Sequence, residues 1–190
     1  MIYEFFHVAF SIFIFMDTLG NLPIFHSFVK GWPVSKRSTL IRETMYVAVA
    51  ILLIFLFFGE RVLTFFTLDF ESFKIAGGII VLIIGIKQVL GLRMLEERAK
   101  TYRAAVVPLA TPLITGPATI TTIMILVYQH GIWITLLASL LNLYVVYIFL
   151  SKAEKLNGIL GRQGSDALSK IMGLILTAIA IGFIRQGLMS

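Results

Sequence analysis

The sequence predicts an all-α integral membrane protein. Six transmembrane helices are expected, arranged as two inverted three-helix repeats with helices 1 and 4 broken at the midplane. Three observations carry this. Of 190 residues, 58% are hydrophobic and 14% charged, against roughly 45–50% and about 25% in a soluble domain. The apolar residues form runs matching the ~20 residues a helix needs to cross a hydrocarbon core about 30 Å thick. The basic residues alternate between crowded and sparse links. With no Cys in the chain, a disulfide framework, a thiolate metal site and a Cys nucleophile are excluded.

Helix 1 is expected over about 3–29, an apolar run interrupted only by Glu4 and Asp17. It lacks a basic leader and a small-residue cleavage site, so it reads as a retained span. Helix 2, about 40–66, is built on the charge-free Thr44–Gly59. Helix 3, about 71–91, is built on Ile75–Ile86, with Lys87 snorkelling to the interface. Ala104–Ser151 then runs 48 residues without Asp, Glu, Lys or Arg, which is too long for one crossing. Gln129-His130-Gly131 divides it into helix 4, about 105–128, and helix 5, about 132–151, with Trp133 as an interfacial anchor. Helix 6, about 168–188, contains Ile171–Ile184. The expected organisation is a single membrane domain: residues 1–92 as the first repeat, 93–104 as a cytoplasmic link and 105–190 as the second repeat.

Thirteen of the 16 Lys and Arg residues fall in the links before helices 2, 4 and 6 or at their edges, leaving Arg61, Lys74 and Arg185 on the other side. Positive charge is retained in the cytoplasm. Both termini are therefore expected outside a bacterial or archaeal cytoplasmic (inner) membrane. The net charge of +6 belongs to cytoplasmic loops facing lipid, with no call for nucleic acid.

The halves carry traces of a common origin. At an offset of 96 residues, Lys74-Ile75-Ala76-Gly77 in helix 3 matches Lys170-Ile171-Met172-Gly173 in helix 6, and Gly91 matches Gly187. At an offset of 94, Asp17-Thr18-Leu19-Gly20-Asn21-Leu22-Pro23 in helix 1 aligns with Thr111-Pro112-Leu113-Ile114-Thr115-Gly116-Pro117 in helix 4. Three spans per half invert the second repeat. Inverted repeats interrupted at matching positions point to a secondary transporter with its site near the midplane.

Pro23, Pro112 and Pro117 each remove a backbone N–H, and the neighbouring glycines relax the chain. One such break is also what a simple kink looks like; a matched pair is more specific. In lipid the freed backbone groups survive only inside protein or beside a wet cavity. Half-helix N-termini favour a carboxylate, and carbonyl ends favour an ammonium group or a cation. An amino-acid zwitterion offers both charges. Asp17 is the one acidic residue deep in a predicted span, where a carboxylate is costly and marks function. It is expected to bind a substrate amine, a coupling proton or Na⁺, or to cap the half-helix after the break. Gly20, Asn21, Thr111, Thr115 and Gly116 are the expected substrate contacts, and Thr119 and Asn142 are secondary cavity candidates. Asn142 suits an interhelical hydrogen bond equally well. No cofactor and no metal cluster are expected. The absence of a P-loop, a G-x-S-x-G, an H-E-x-x-H and paired membrane acids speaks against ATP-driven transport and against an enzyme. A homo-oligomer is compatible with the sequence.

These residues resemble the MarC family, the SnatA-type small neutral amino acid transporters. Asp17-Thr18-Leu19-Gly20-Asn21-Leu22-Pro23-Ile24-Phe25 is similar to the family's D-P-x-G-N-x-P-x-F. Val107–Ala118 is similar to its P-L-A-x-P-x-x-x-G-P-G, and Phe73–Gly78 to its F-R-I-A-G-G. Thr18 stands where the family usually has Pro, and Ala118 where Gly is common. The resemblance spans essentially the whole chain. It implies transport of small neutral amino acids such as glycine or alanine, driven by an H⁺ or Na⁺ gradient. The rival expectations are an exporter or channel for other small solutes, and a membrane scaffold that transports nothing.

Overall fold

A bilayer core offers no water to satisfy backbone N–H and C=O groups, so a spanning chain closes its hydrogen bonds within helices. The computed structural model describes residues 2–29, 32–92 and 114–189, and among these every regular element is a helix. In chain order they are α1 (Ile2–Phe15), α2 (Thr18–Val29), α3 (Val34–Phe65), α4 (Phe70–Val89), α5 (Pro117–His130), α6 (Ile132–Ser151) and α7 (Ala153–Met189). Among the described residues, five segments are long and apolar enough to cross a membrane: Ile2–Gly20, Val34–Phe65, Phe70–Val89, Ile132–Ser151 and Gln163–Met189. The chain is thus an all-α, multi-pass membrane protein. The fourth expected span begins outside the described residues, as does the expected 93–104 link. Its described part, α5, has 14 residues.

Local chemistry sets the ends. Pro33 precedes α3 in an extended conformation, where its missing N–H costs nothing. Asp69 caps α4 by accepting the Ser72 N–H. Gly131, at φ 86°, joins α5 to α6, which places the turn where Gln129-His130-Gly131 predicts it. A side chain at that φ would be strained.

Two helices begin earlier than expected. α3 starts at Val34 instead of residue 40, and α7 at Ala153 instead of residue 168. Hydropathy reports which residues lie in lipid, not which are helical, so polar turns such as Ser35–Arg37 and Glu154–Lys155 look like links in the sequence. α7 is bent at Gly161, whose φ of 63° is not helical. That bend separates its polar first turns from the membrane segment.

The main apolar core lies among α1, α3 and α6, around Ile12, Leu52, Ala138 and Val146. A smaller core gathers Phe15, Val81, Ala118, Leu176, Ala180 and Phe183. α4 and α7 pack antiparallel with their backbones in contact. A Cβ on Gly85 would stand 2.8 Å from the Gly173 carbonyl oxygen, and one on Gly173 would stand 2.9 Å from that of Gly85. Near the other end of the crossing, a Cβ on Gly187 would stand 2.8 Å from the Glu71 carbonyl oxygen. Small residues permit this approach in a bilayer, where van der Waals contact drives helix association. Phe6, Phe10, Phe57, Leu137 and Leu174 face outward, as suits a surface solvated by lipid tails.

Candidate functional site

The first expected span is two helices. Met16 N–H closes the last turn of α1 on the Ile12 carbonyl at 2.9 Å, and Asp17 N–H reaches Ile14 at 3.1 Å. Asp17 itself sits at φ 43°, in the left-handed region. Asp tolerates that region better than most side chains. α2 resumes at Thr18. Pro23 inside α2 has no N–H to offer the Leu19 carbonyl.

The bend turns the Asp17 side chain into the protein, leaving it 4% exposed. One carboxylate oxygen, Oδ2, accepts a 2.9 Å hydrogen bond from Nε2 of Gln88 on α4. Among the described residues, three buried oxygens here have no hydrogen-bond partner: Asp17 Oδ1, Thr18 Oγ1 and Gln88 Oε1. Gly20 forms one wall. A Cβ at this position would lie 2.5 Å from Asp17 Oδ1 and collide with the Gln88 amide. Ser169 of α7 places its hydroxyl 3.5 Å from the Gly20 carbonyl oxygen.

The second expected break falls just before α5. Ile114, Thr115 and Gly116 are buried. Gly116 is the extended N-cap residue, and Pro117 opens the helix, a position that needs no N–H. Thr119, one turn later, joins the two breaks. Its hydroxyl lies 3.0 Å from the Ile114 carbonyl oxygen and 3.2 Å from that of Phe15, the last residue of α1. The Phe15 ring stacks on Phe183 of α7 at 5.2 Å. Phe15 and Ala118, one from each break, belong to the same small core.

Five of the expected residues therefore lie at or beside this junction: Asp17, Gly20, Thr115, Gly116 and Thr119. Asn21 and Pro23 fall within α2, just beyond it. Thr111 and Pro112 lie outside the described residues. Asn142 is elsewhere. Its amide donates to the Ala9 carbonyl at 2.9 Å and to the Ala138 carbonyl at 2.8 Å, fastening α6 to α1 well before the break.

Sequence reasoning missed Gln88 and Ser169. Each follows or precedes a Lys at a hydropathy boundary, which hides an inward-turned polar group. His7 and His130 also meet, their rings 5.8 Å centre to centre. That contact joins the N-terminal half of α1 to the C-terminal end of α5. Among the described residues, no three His, Asp or Glu side chains group as metal ligands. On the side of the basic links, Arg37 pairs with Glu154 and donates to the Trp32 carbonyl at 2.8 Å.

The model of the MarC family of integral membrane proteins matches residues 2–190. Similar proteins include a UPF0056 membrane protein of Methanocaldococcus jannaschii, 37% identical over an alignment covering 97% of this chain and 96% of the relative. The UPF0056 inner membrane protein YhgN of Escherichia coli K12 is 35% identical, with 97% and 96% covered. A UPF0056 membrane protein of Archaeoglobus fulgidus is 33% identical, with 97% and 92% covered. No solved structure matches the chain.

Proposed function

The chain belongs to the MarC family of integral membrane proteins, and on that premise we propose that it is a secondary active transporter of small neutral amino acids. Transport of a glycine- or alanine-like substrate is coupled to an H⁺ or Na⁺ gradient and proceeds by alternating access. The observation that carries this reading is the Thr119–Phe15 contact. It brings together two helix breaks that the sequence aligns at an offset of 94 residues. A scaffold has no need of two aligned interruptions meeting in one polar junction.

The α4–α7 crossing supports the inverted repeat. Its contacts run antiparallel, from Gly85 against Gly173 to Glu71 against Gly187. That register sets Val81 opposite Thr177, which the offset of 96 makes equivalent, as a two-fold axis between the helices requires. Depth supports the site. At 1.5 Å per residue, Phe15 lies roughly 12 Å along α1 from His7. With His7 at the outer interface, that is near half of a core about 30 Å thick.

In this reading Asp17 receives the substrate amine or the coupling ion. Gly20, Asn21, Thr111, Thr115 and Gly116 contact the remainder, while Pro23, Pro112 and Pro117 keep the helices broken. One repeat rocks against the other around the site. The protein sits in the cytoplasmic membrane with both termini outside, consistent with the inner-membrane name of its relative YhgN. Uptake of labelled glycine or alanine into proteoliposomes under imposed H⁺ and Na⁺ gradients tests the proposal. Accumulation above the equilibrium level supports it. Equilibration without accumulation makes the protein a channel, and no uptake of any small amino acid leaves a scaffold.

A further inference from the structure

We propose that Asp17 Oδ1, Gln88 Oε1 and Thr18 Oγ1 form a sodium site at the first helix break. Among the described residues these three oxygens are buried without a hydrogen-bond partner, while the Asp17 carboxylate as a whole takes the Gln88 amide and the Gly20 N–H. Asp17 and Thr18 are 4% and 3% exposed. A buried acceptor without a donor costs about 1–3 kcal/mol, so three together call for an occupant. The ionised carboxylate oxygen and the amide oxygen only accept, while the hydroxyl can do either. The occupant is therefore a cation or a donor of protons.

Its charge and size follow from the surroundings. Hard oxygen ligands select hard cations over transition metals. One carboxylate balances one positive charge, which favours a monovalent ion. Lys87 and Lys170, the cations nearest in sequence to Gln88 and Ser169, are exposed. The cradle is narrow. A single Cβ on Gly20 would already stand 2.5 Å from Asp17 Oδ1 and strike the Gln88 amide. That spacing leaves no room for an amino acid between these groups, so the proposed occupant is a bare ion. The site lies between the C-terminal end of α1, whose dipole favours a cation, and the N-terminal end of α2, whose dipole favours the Asp17 carboxylate. Half-helix C-termini and unwound carbonyls are a general means of holding Na⁺ in transporters.

The assignment rests on the transport reading for its purpose and deepens it: sodium is the coupling ion, and the amino acid binds nearer Thr115 and Gly116. Binding itself is measurable without transport. Purified full-length protein in detergent is titrated with NaCl while choline chloride holds ionic strength constant, and thermal unfolding is followed. A ligand that binds only the folded state raises stability by mass action. The expected result is a saturable shift specific to Na⁺ over K⁺. It is lost in Asp17→Asn and moved to at least fivefold higher concentration in Gln88→Leu. Thr18→Val, which keeps shape and removes the hydroxyl, is a second variant with the same expectation should Gln88→Leu not fold. No Na⁺-specific shift in the wild type overturns the proposal, as does an unchanged shift in the folded variants or a response to pH alone. Na⁺ binding without amino-acid uptake contradicts only the transport reading. Uptake that is indifferent to replacement of Na⁺ by choline contradicts only the sodium site.

Discussion

Gln88, next to last in α4, donates a 2.9 Å hydrogen bond to Asp17, 71 positions earlier in the chain. Two glycines make room for it. A Cβ on Gly173 would stand 2.9 Å from the Gln88 Cβ, and one on Gly20 would strike its amide. The carboxylate at the break is thus held by a side chain from another helix, threaded between α2 and α7.

Filling that passage is expected to be costly. Overpacking a tight site typically costs about 1–3 kcal/mol. Gly20→Ala and Gly173→Ala should each lower the midpoint of thermal unfolding in detergent. Gly182→Ala is the control, because a Cβ there meets nothing within 4 Å. It should be neutral or slightly stabilising, since Ala is the better helix former by about 1 kcal/mol. Equal destabilisation by all three would mean that the close approach is not the cause.

Thr119 and Asn142 separate function from fastening. Asn142 bonds the Ala9 carbonyl across helices, an interaction worth about 0.6 kcal/mol on average inside a membrane. Asn142→Ala should lose a comparable amount of stability and retain uptake. Thr119→Val keeps its shape but breaks the link between the two helix breaks. It should reduce uptake several-fold, and Thr119→Ser should restore most of it. If Asn142→Ala abolishes uptake in a folded protein, the site has been placed on the wrong residues.

Asp69 supplies a pH dependence outside the spans. The Ser72 N–H it accepts at the N-cap holds its carboxyl below the ordinary value of 3.8. A depressed folded-state pKa means that the cap contributes fully above the unfolded value. The contribution fades as pH falls through the folded value. Wild type should therefore lose thermal stability more steeply between about pH 5 and pH 3 than Asp69→Asn, which caps without titrating. Identical slopes would exclude the cap as the source.

The His7–His130 contact predicts proximity of the N-terminal half of α1 and the C-terminal end of α5. The chain has no Cys, so a His7→Cys/His130→Cys pair carries the only thiols. A short bifunctional thiol reagent should close an intramolecular cross-link, visible as a shift in gel mobility. A pair that takes up two separate labels and never cross-links would show these ends apart.

The first break was legible because an acid and two turn-forming residues interrupt an apolar run, and lipid tolerates that only for a reason. Asp17 declared itself by charge, and Gly131 by its place between two long apolar stretches. Gln88 did not. It follows Lys87 at the end of a span, where polar residues are unremarkable, and its pairing with Asp17 depends on how α2, α4 and α7 stack. The early start of α7 was hidden for a related reason. Charge excludes Glu154 and Lys155 from lipid but does not stop them forming helix. The meeting of the two breaks at Thr119 and Phe15 is likewise a fact of packing, to which the aligned segments pointed without specifying a contact.

Counterflow in proteoliposomes tests the paired-break site most directly. Vesicles loaded with unlabelled alanine and diluted into trace labelled alanine should show a transient overshoot of label with the wild type. Asp17→Asn and Asn21→Ala should abolish or strongly reduce it while their unfolding in detergent stays cooperative. Exchange without overshoot, or an overshoot untouched by both substitutions, would contradict the account.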